Sequence, residues 1–120
     1  MTPAELRSLC LSFNAATEEF PFPRNPGLST FKVLGKIFAF SGLEESPLTV
    51  ALKAEPEIAL RLREAHPGVI VPGYHLNKRH WNTVVVGELP ERQVRELVED
   101  SYDLVVAGLP RRERLRLDRG

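Results

Sequence analysis

The stretch Thr30-Phe31-Lys32-Val33-Leu34-Gly35-Lys36-Ile37-Phe38-Ala39-Phe40 decides the fold. Two β-rich runs, Thr30 to Leu34 and Ile37 to Phe40, flank Gly35-Lys36. A glycine at a tight turn supplies the positive φ that a short hairpin needs, so the stretch reads as two antiparallel strands. A polar connection, Ser41 to Pro47, leads into Leu48 to Lys53. There Leu48, Val50 and Leu52 alternate with Thr49, Ala51 and Lys53, the period of two that marks a strand with one buried face.

Upstream, Thr2-Pro3-Ala4-Glu5 reads as a helix start. Thr2 can cap, proline suits the first helical position, and Glu5 can complete a capping box. Leu6, Leu9, Cys10 and Phe13 follow at helical spacing, so a first helix is expected to end near Ala15 or Ala16. Residues 17 to 30, with Pro21, Pro23, Pro26 and Gly27, read as irregular, with Phe20 and Phe22 folding back onto the core.

Downstream, Pro56 opens a helix to about Ala65 with Ile58, Leu62 and Ala65 as its inner stripe, stopped by His66-Pro67-Gly68. Val69 to Val71 reads as a short strand and His80 to Val86 as another, with Trp81, Thr83 and Val85 opposite Asn82, Val84 and Val86. A third helix begins at Pro90. Its inner face is Val94, Leu97, Val98, Ser101, Leu104 and Val105, and Gly108 and Pro110 end it. The order α-βββ-α-ββ-α implies an α+β fold, a single antiparallel-rich sheet with helices packed on one face. Residues 1–110 read as one domain. Residues 111–120 read as a basic tail, frayed or loosely helical, with five arginines against Glu113 and Asp118, a net of +3.

Bulk properties narrow the function. At 120 residues, 42% hydrophobic and 27% charged, the chain suits one folded domain with its own core. Sixteen basic residues balance sixteen acidic ones, so a nucleic-acid partner has to be met by a local patch. The single cysteine, Cys10, cannot form an internal disulfide and reads as a small buried hydrophobe. The start MTPAELRSLC lacks a signal-peptide layout and no apolar run approaches the roughly 20 residues of a membrane helix, so the expected compartment is the cytoplasm, with no membrane partner.

Three segments carry a family resemblance: Gly35-Lys36-Ile37-Phe38-Ala39, then Pro72-Gly73-Tyr74-His75-Leu76-Asn77-Lys78-Arg79-His80-Trp81-Asn82-Thr83-Val84, then Ser101-Tyr102-Asp103-Leu104-Val105-Val106 before Leu109-Pro110. In this order and spacing they resemble the YjbR/MmcQ family, from the first helix to Pro110. The resemblance implies a fold similar to CyaY, the bacterial frataxin, described as a double-wing DNA-binding domain. It also implies DNA binding, a label that rests on shape and electrostatics across the family. The iron chemistry of frataxins does not carry over, because the first helix here offers only Glu5, with Glu18 and Glu19 after it.

The candidate DNA-binding residues are Lys36, His75, Asn77, Lys78, Arg79, His80, Trp81 and Asn82. Lys78 and Arg79 put two charges at a loop tip, and Lys36 marks the other hairpin tip, so two basic wings can each meet a phosphate backbone. Asn77 and Asn82 offer amides to base edges, and Trp81 offers a stacking face. The structural readings stand beside these: Trp81 as a strand anchor, Lys36, Lys78 and Arg79 as solvated turn residues, and the arginine-rich tail as a solvated terminus. His75 and His80 lack neighbouring Cys, Asp or Glu, so neither a metal nor another cofactor is expected. Ser101 reads as a small packing residue, and no paired acid, base or phosphate cradle points to an enzyme. Sequence therefore favours DNA binding through two hairpin wings with little sequence preference. The alternative is a non-catalytic adaptor that docks another protein.

Overall fold

The computed structural model describes residues 1–73 and 76–119. Helix α1 (Pro3–Leu11) leads to strands β1 (Ala16–Glu19), β2 (Leu28–Val33), β3 (Lys36–Gly42) and β4 (Thr49–Lys53). Helix α2 (Pro56–Ala65) precedes β5 (Ile70–Pro72) and β6 (Trp81–Val85), and α3 (Glu91–Ala107) and α4 (Arg111–Arg119) close the chain. The six strands form one sheet in the order β1-β2-β3-β4-β6-β5, and every neighbouring pair is antiparallel. The α+β class expected from sequence is borne out. No helix among the described residues is long and apolar enough to cross a membrane.

Strand alternation sorts the sheet into two faces. Val33, Phe31, Val50, Leu52, Val84 and Ile70 join Leu6 and Cys10 of α1 and Val94, Val98, Tyr102 and Val105 of α3 in one buried cluster. The helices cover that face. Phe40, Ala51, Trp81 and Thr83 occupy the other. The capping box at Thr2 forms as its residues dictate: Glu5 N–H donates to Thr2 Oγ1 and Thr2 N–H to Glu5 Oε1.

A β-bulge organises the centre. Phe31 pairs with Ala39 but Lys32 with Ile37, so Phe38 is the extra residue. Its ring enters the helix-side core, edge-on to Tyr102 at 5.3 Å and to Phe13 at 5.9 Å. Tyr102 stacks on Phe13 at 4.7 Å and donates its hydroxyl to Asn14 C=O. The β3–β4 ladder stops at Ala39–Leu52. One step further on, the Ser101 hydroxyl takes the place of a rung: it accepts from Lys53 N–H at 2.8 Å and donates to Phe38 C=O at 2.6 Å. Ser101 is fully buried, yet it works as a polar bridge between strands and not only as a small packing residue.

Several expectations are corrected. α1 ends at Leu11 with Ser12 as its C-cap, and Ala15, at a positive φ of 60°, then turns the chain into a strand. That strand, β1, lies in the segment read as irregular. It is an edge strand whose alternation is carried by glutamates, with Glu18 held by Arg7 at 2.7 Å and Glu19 by Lys32 at 3.2 Å. α2 buries Ala59 where Ile58 was expected; Ile58 is 48% exposed and Ala65 lies at the surface. The helix lies close enough for Asn82 Nδ2 to reach Ala59 C=O, which leaves room only for a methyl group there. Phe20 and Phe22 stay off the helix-side core, both exposed, with Phe22 against Phe40 on the open face. The C-terminal segment forms α4, tied back by Asn14 Nδ2 to Leu117 C=O, with Leu117 against the core.

Candidate nucleic-acid interface

Two turns carry the cations singled out in the sequence. The β2–β3 turn places Leu34 and Gly35 at φ of 47° and 83°, both positive, as a two-residue hairpin turn of this hand requires. Lys36 follows immediately and is exposed. The second turn lies between β5 and β6. Asn77 Oδ1 accepts from Arg79 N–H at 3.0 Å, and Asn77 C=O accepts from His80 and Trp81 N–H. Asn77 therefore builds the turn that presents Lys78 and Arg79 to solvent. Arg63 of α2 braces it from below, donating to Lys78 C=O at 3.1 Å.

Strand register brings the two turns together. β3 starts at Lys36, β4 ends at Lys53, and Lys53 pairs with Trp81 at the start of β6. All three points lie at the same end of the sheet. β3 and β6 are separated only by β4, which sets the roots of the two turns about 10 Å apart. α4 is tethered beside this end through Asn14, two residues before the β1 residue that pairs with Val33. Arg111, Arg112, Arg114 and Arg116 of α4 are exposed. The opposite end of the sheet carries Glu44 and Glu45 in the β3–β4 connection and Glu88 after β6. Charges that cancel in the total are thus graded along the strand axis, although Glu55 and Glu57 at the start of α2 also lie on the basic side.

The remaining candidates divide. Trp81 is half-buried on the open face, its ring 5.3 Å from Phe40, so it anchors the sheet and shows one edge to solvent. Gly73 makes this possible: a Cβ there would lie 2.9 Å from Trp81 Cβ, while Gly73 N–H donates to Trp81 C=O. His80 is half-buried and gives its carbonyl to Ala54 N–H. Asn82 is 2% exposed and on the helix side, away from Trp81. Its Nδ2 is committed to Ala59, and its Oδ1 has no partner among the described residues beside a cavity of about 100 Å³ under α2 and α3. The reading of Asn82 as a base-edge contact does not fit this placement. His75 lies outside the described residues.

Lys53 belongs to the basic end but was not singled out from the sequence. The signal was the strand-terminal position of a lysine just before Pro56. Cys10 is fully buried, and desolvation first, with the Glu18 carboxylate second, pushes its thiol up to about 12. It is a protonated packing group at neutral pH.

A larger hollow lies on the open face. Its volume is about 530 Å³, and its lining includes Phe22, Leu28, Phe40, Ala51, Leu76 and Thr83, with Arg24, Asn25 and Glu45 among its polar groups. The loop that carries Phe22 is ordered by two turns of its own: Asn25 N–H donates to Phe22 C=O at 2.9 Å and Leu28 N–H to Asn25 C=O at 3.1 Å.

Comparison with known proteins agrees with the motifs. Uncharacterized protein YbdF of Escherichia coli O157:H7 is 39% identical over 103 residues, covering 85% of this chain and 84% of YbdF. Uncharacterized protein YjbR of Escherichia coli K12 is 38% identical over 116 residues, 95% of each chain. A Deinococcus radiodurans protein known from its crystal structure superposes with a TM-score of 0.88 at 41% identity, covering 98% of this chain and 88% of that one. A Pseudomonas syringae protein superposes with a TM-score of 0.73 at 25% identity, covering 87% of this chain and 98% of that one. The family model described as YjbR matches residues 11–104, from the end of α1 through the Ser101–Leu104 segment of α3, and so the chain belongs to the YjbR family.

Proposed function

We propose that the protein binds DNA through the basic end of its sheet, without a catalytic step, as a component of the cytoplasm. The observation that carries this reading is topological. Lys36 at the start of β3, Lys53 at the end of β4, and Lys78 and Arg79 in the turn before β6 lie far apart in sequence, yet one end of the sheet gathers them. Turn roots about 10 Å apart compare with a major groove about 12 Å wide, so the two tips can address phosphates on both sides of it. Contacts from these side chains to phosphate carry no sequence information, so sequence preference is low. The α4 arginines extend the same positive surface.

The test is fluorescence anisotropy with a short labelled duplex at low and at physiological salt. The wild type is compared with Lys36→Ala and with Lys78→Ala/Arg79→Ala, each checked for fold by circular dichroism. The expected result is affinity that falls steeply with salt. The double variant should weaken binding to every duplex alike and reduce the log–log salt slope by about 2, since each neutralised phosphate contributes about 0.9. A wild type that leaves duplex free at low salt sinks the reading and favours the competing one, a module that docks another protein.

A further inference from the structure

We infer that the open face of the sheet takes an unpaired base, so that single-stranded DNA is the preferred ligand of this surface; the inference rests on the DNA-binding reading above and specifies its substrate. Three aromatic rings run across the open face. Trp81 starts the row at the basic end, Phe40 lies 5.3 Å from it, and Phe22 lies 6.0 Å beyond Phe40. Phe40 is nearly buried and forms a floor with Ala51 and Thr83, while Phe22 is 39% exposed and forms a wall opposite Leu76.

The hollow between them is open to solvent and holds about 530 Å³, within the roughly 300–1,000 Å³ range of small-molecule sites. Arg24 on the Phe22 loop lines it, and Leu76 of its lining is followed two and three residues on by the exposed Lys78 and Arg79. A ligand that suits this surface has a flat apolar part for the slot and a repeating anionic part for its margins. A nucleic-acid strand with its bases unstacked has both. A closed duplex keeps its bases stacked inside and offers nothing to Phe22. The hydroxyl of Thr83, the amide of Asn25 and the carboxylate of Glu45 supply polar groups for the base edge. Glu45 would be an acceptor for an exocyclic amino group, as on cytosine or adenine.

The experiment compares a labelled single-stranded 16-mer of mixed sequence with its blunt duplex in the same buffer, by anisotropy, while the fluorescence of Trp81 reports on the open face. The wild type is expected to bind the single strand about tenfold more tightly than the duplex, with Trp81 quenched by the single strand alone. In Phe22→Ala the ratio of the two affinities should fall about tenfold, the scale of one lost base–aromatic stack. In Arg24→Ala, a fully surface change, it should fall severalfold. A wild-type ratio near one, or a ratio that neither variant alters, overturns the inference and leaves salt-sensitive duplex binding standing. A protein that binds neither form overturns both readings.

Discussion

Replacing Ser101 with alanine tests the account of how the basic end is held together. Ser101 Oγ lies 2.8 Å from Lys53 N and 2.6 Å from Phe38 O. At a roughly tetrahedral oxygen those two legs leave the main-chain groups about 4.4 Å apart, too far to pair directly. Alanine therefore strands one donor and one acceptor around a residue that is fully buried. A buried group deprived of its partner costs about 1–3 kcal/mol, so two of them cost about 3 kcal/mol at the lower part of that range. Alanine returns roughly 0.5 kcal/mol as the better helix former, leaving a net loss of about 2.5 kcal/mol. With an unfolding entropy of about 2.1 cal/mol/K per residue over 120 residues, that loss lowers Tm by about 10 °C. Calorimetry on Ser101→Ala gives the number directly, and hydrogen exchange at the Lys53 amide should accelerate in step. If Ser101 were only a small packing residue, alanine would be neutral or slightly stabilising. A Tm unchanged or raised would refute the bridge.

Two further outcomes follow from the same geometry. Gly73→Ala places a Cβ 2.9 Å from Trp81 Cβ and 3.1 Å from Trp81 O, so the connection before the basic turn must shift. A loss of about 1–3 kcal/mol and a red-shifted emission of Trp81, the chain's single tryptophan, are expected, and unchanged emission with unchanged Tm would count against the close approach. Asp100 has its pKa raised, by desolvation first and then by Asp103 and Glu96. The folded form therefore holds the Asp100 proton more tightly than the unfolded chain does. Ionising Asp100 costs stability above its folded pKa and nothing well below the unfolded one. Asp100→Asn should raise Tm at pH 7, and the gain should shrink as pH falls through the carboxylate range and vanish only well below the unfolded pKa; a gain that persists there would refute the sign.

The sequence made the hairpin legible because glycine and two β-rich runs leave few alternatives for Thr30 to Phe40. The capping box at Thr2 was equally plain, and so was the alternation of Leu48 to Lys53. β1 was hidden because Ala16–Glu19 carries its pattern in glutamates held by ion pairs, which hydrophobic periodicity does not register. The bulge was hidden too. Ile37-Phe38-Ala39-Phe40 is apolar throughout, so no phase in the pattern shows that Phe38 is the extra residue and that it shares the core side with Ala39. α2 misled for a third reason: a close helix–sheet approach selects the small Ala59 and turns the larger Ile58 outward. For the site, charge alone marked Lys36, Lys78 and Arg79. That they share one end depends on the order β3-β4-β6, which joins segments more than 25 residues apart and which no local signal encodes.

That dependence also explains why β4 matters more to the surface than its own side chains do. Each basic turn has a local device that shapes it, the positive-φ pair Leu34-Gly35 for one and Asn77 with Arg63 for the other. Neither device sets the spacing between them. Spacing is set where both hairpins meet β4, through Ala39–Leu52 on one side and Lys53–Trp81 on the other. The Ser101 bridge pins β3 to β4 at that level, just past the last direct pair. A slip of β4 by one residue would turn Val50 and Leu52 out of the core and Lys53 into it, and the core rejects that as strongly as any contact the surface makes. The packed face thus fixes the register, the register fixes the distance between two sets of cations, and the buried hydroxyl of Ser101 joins the two.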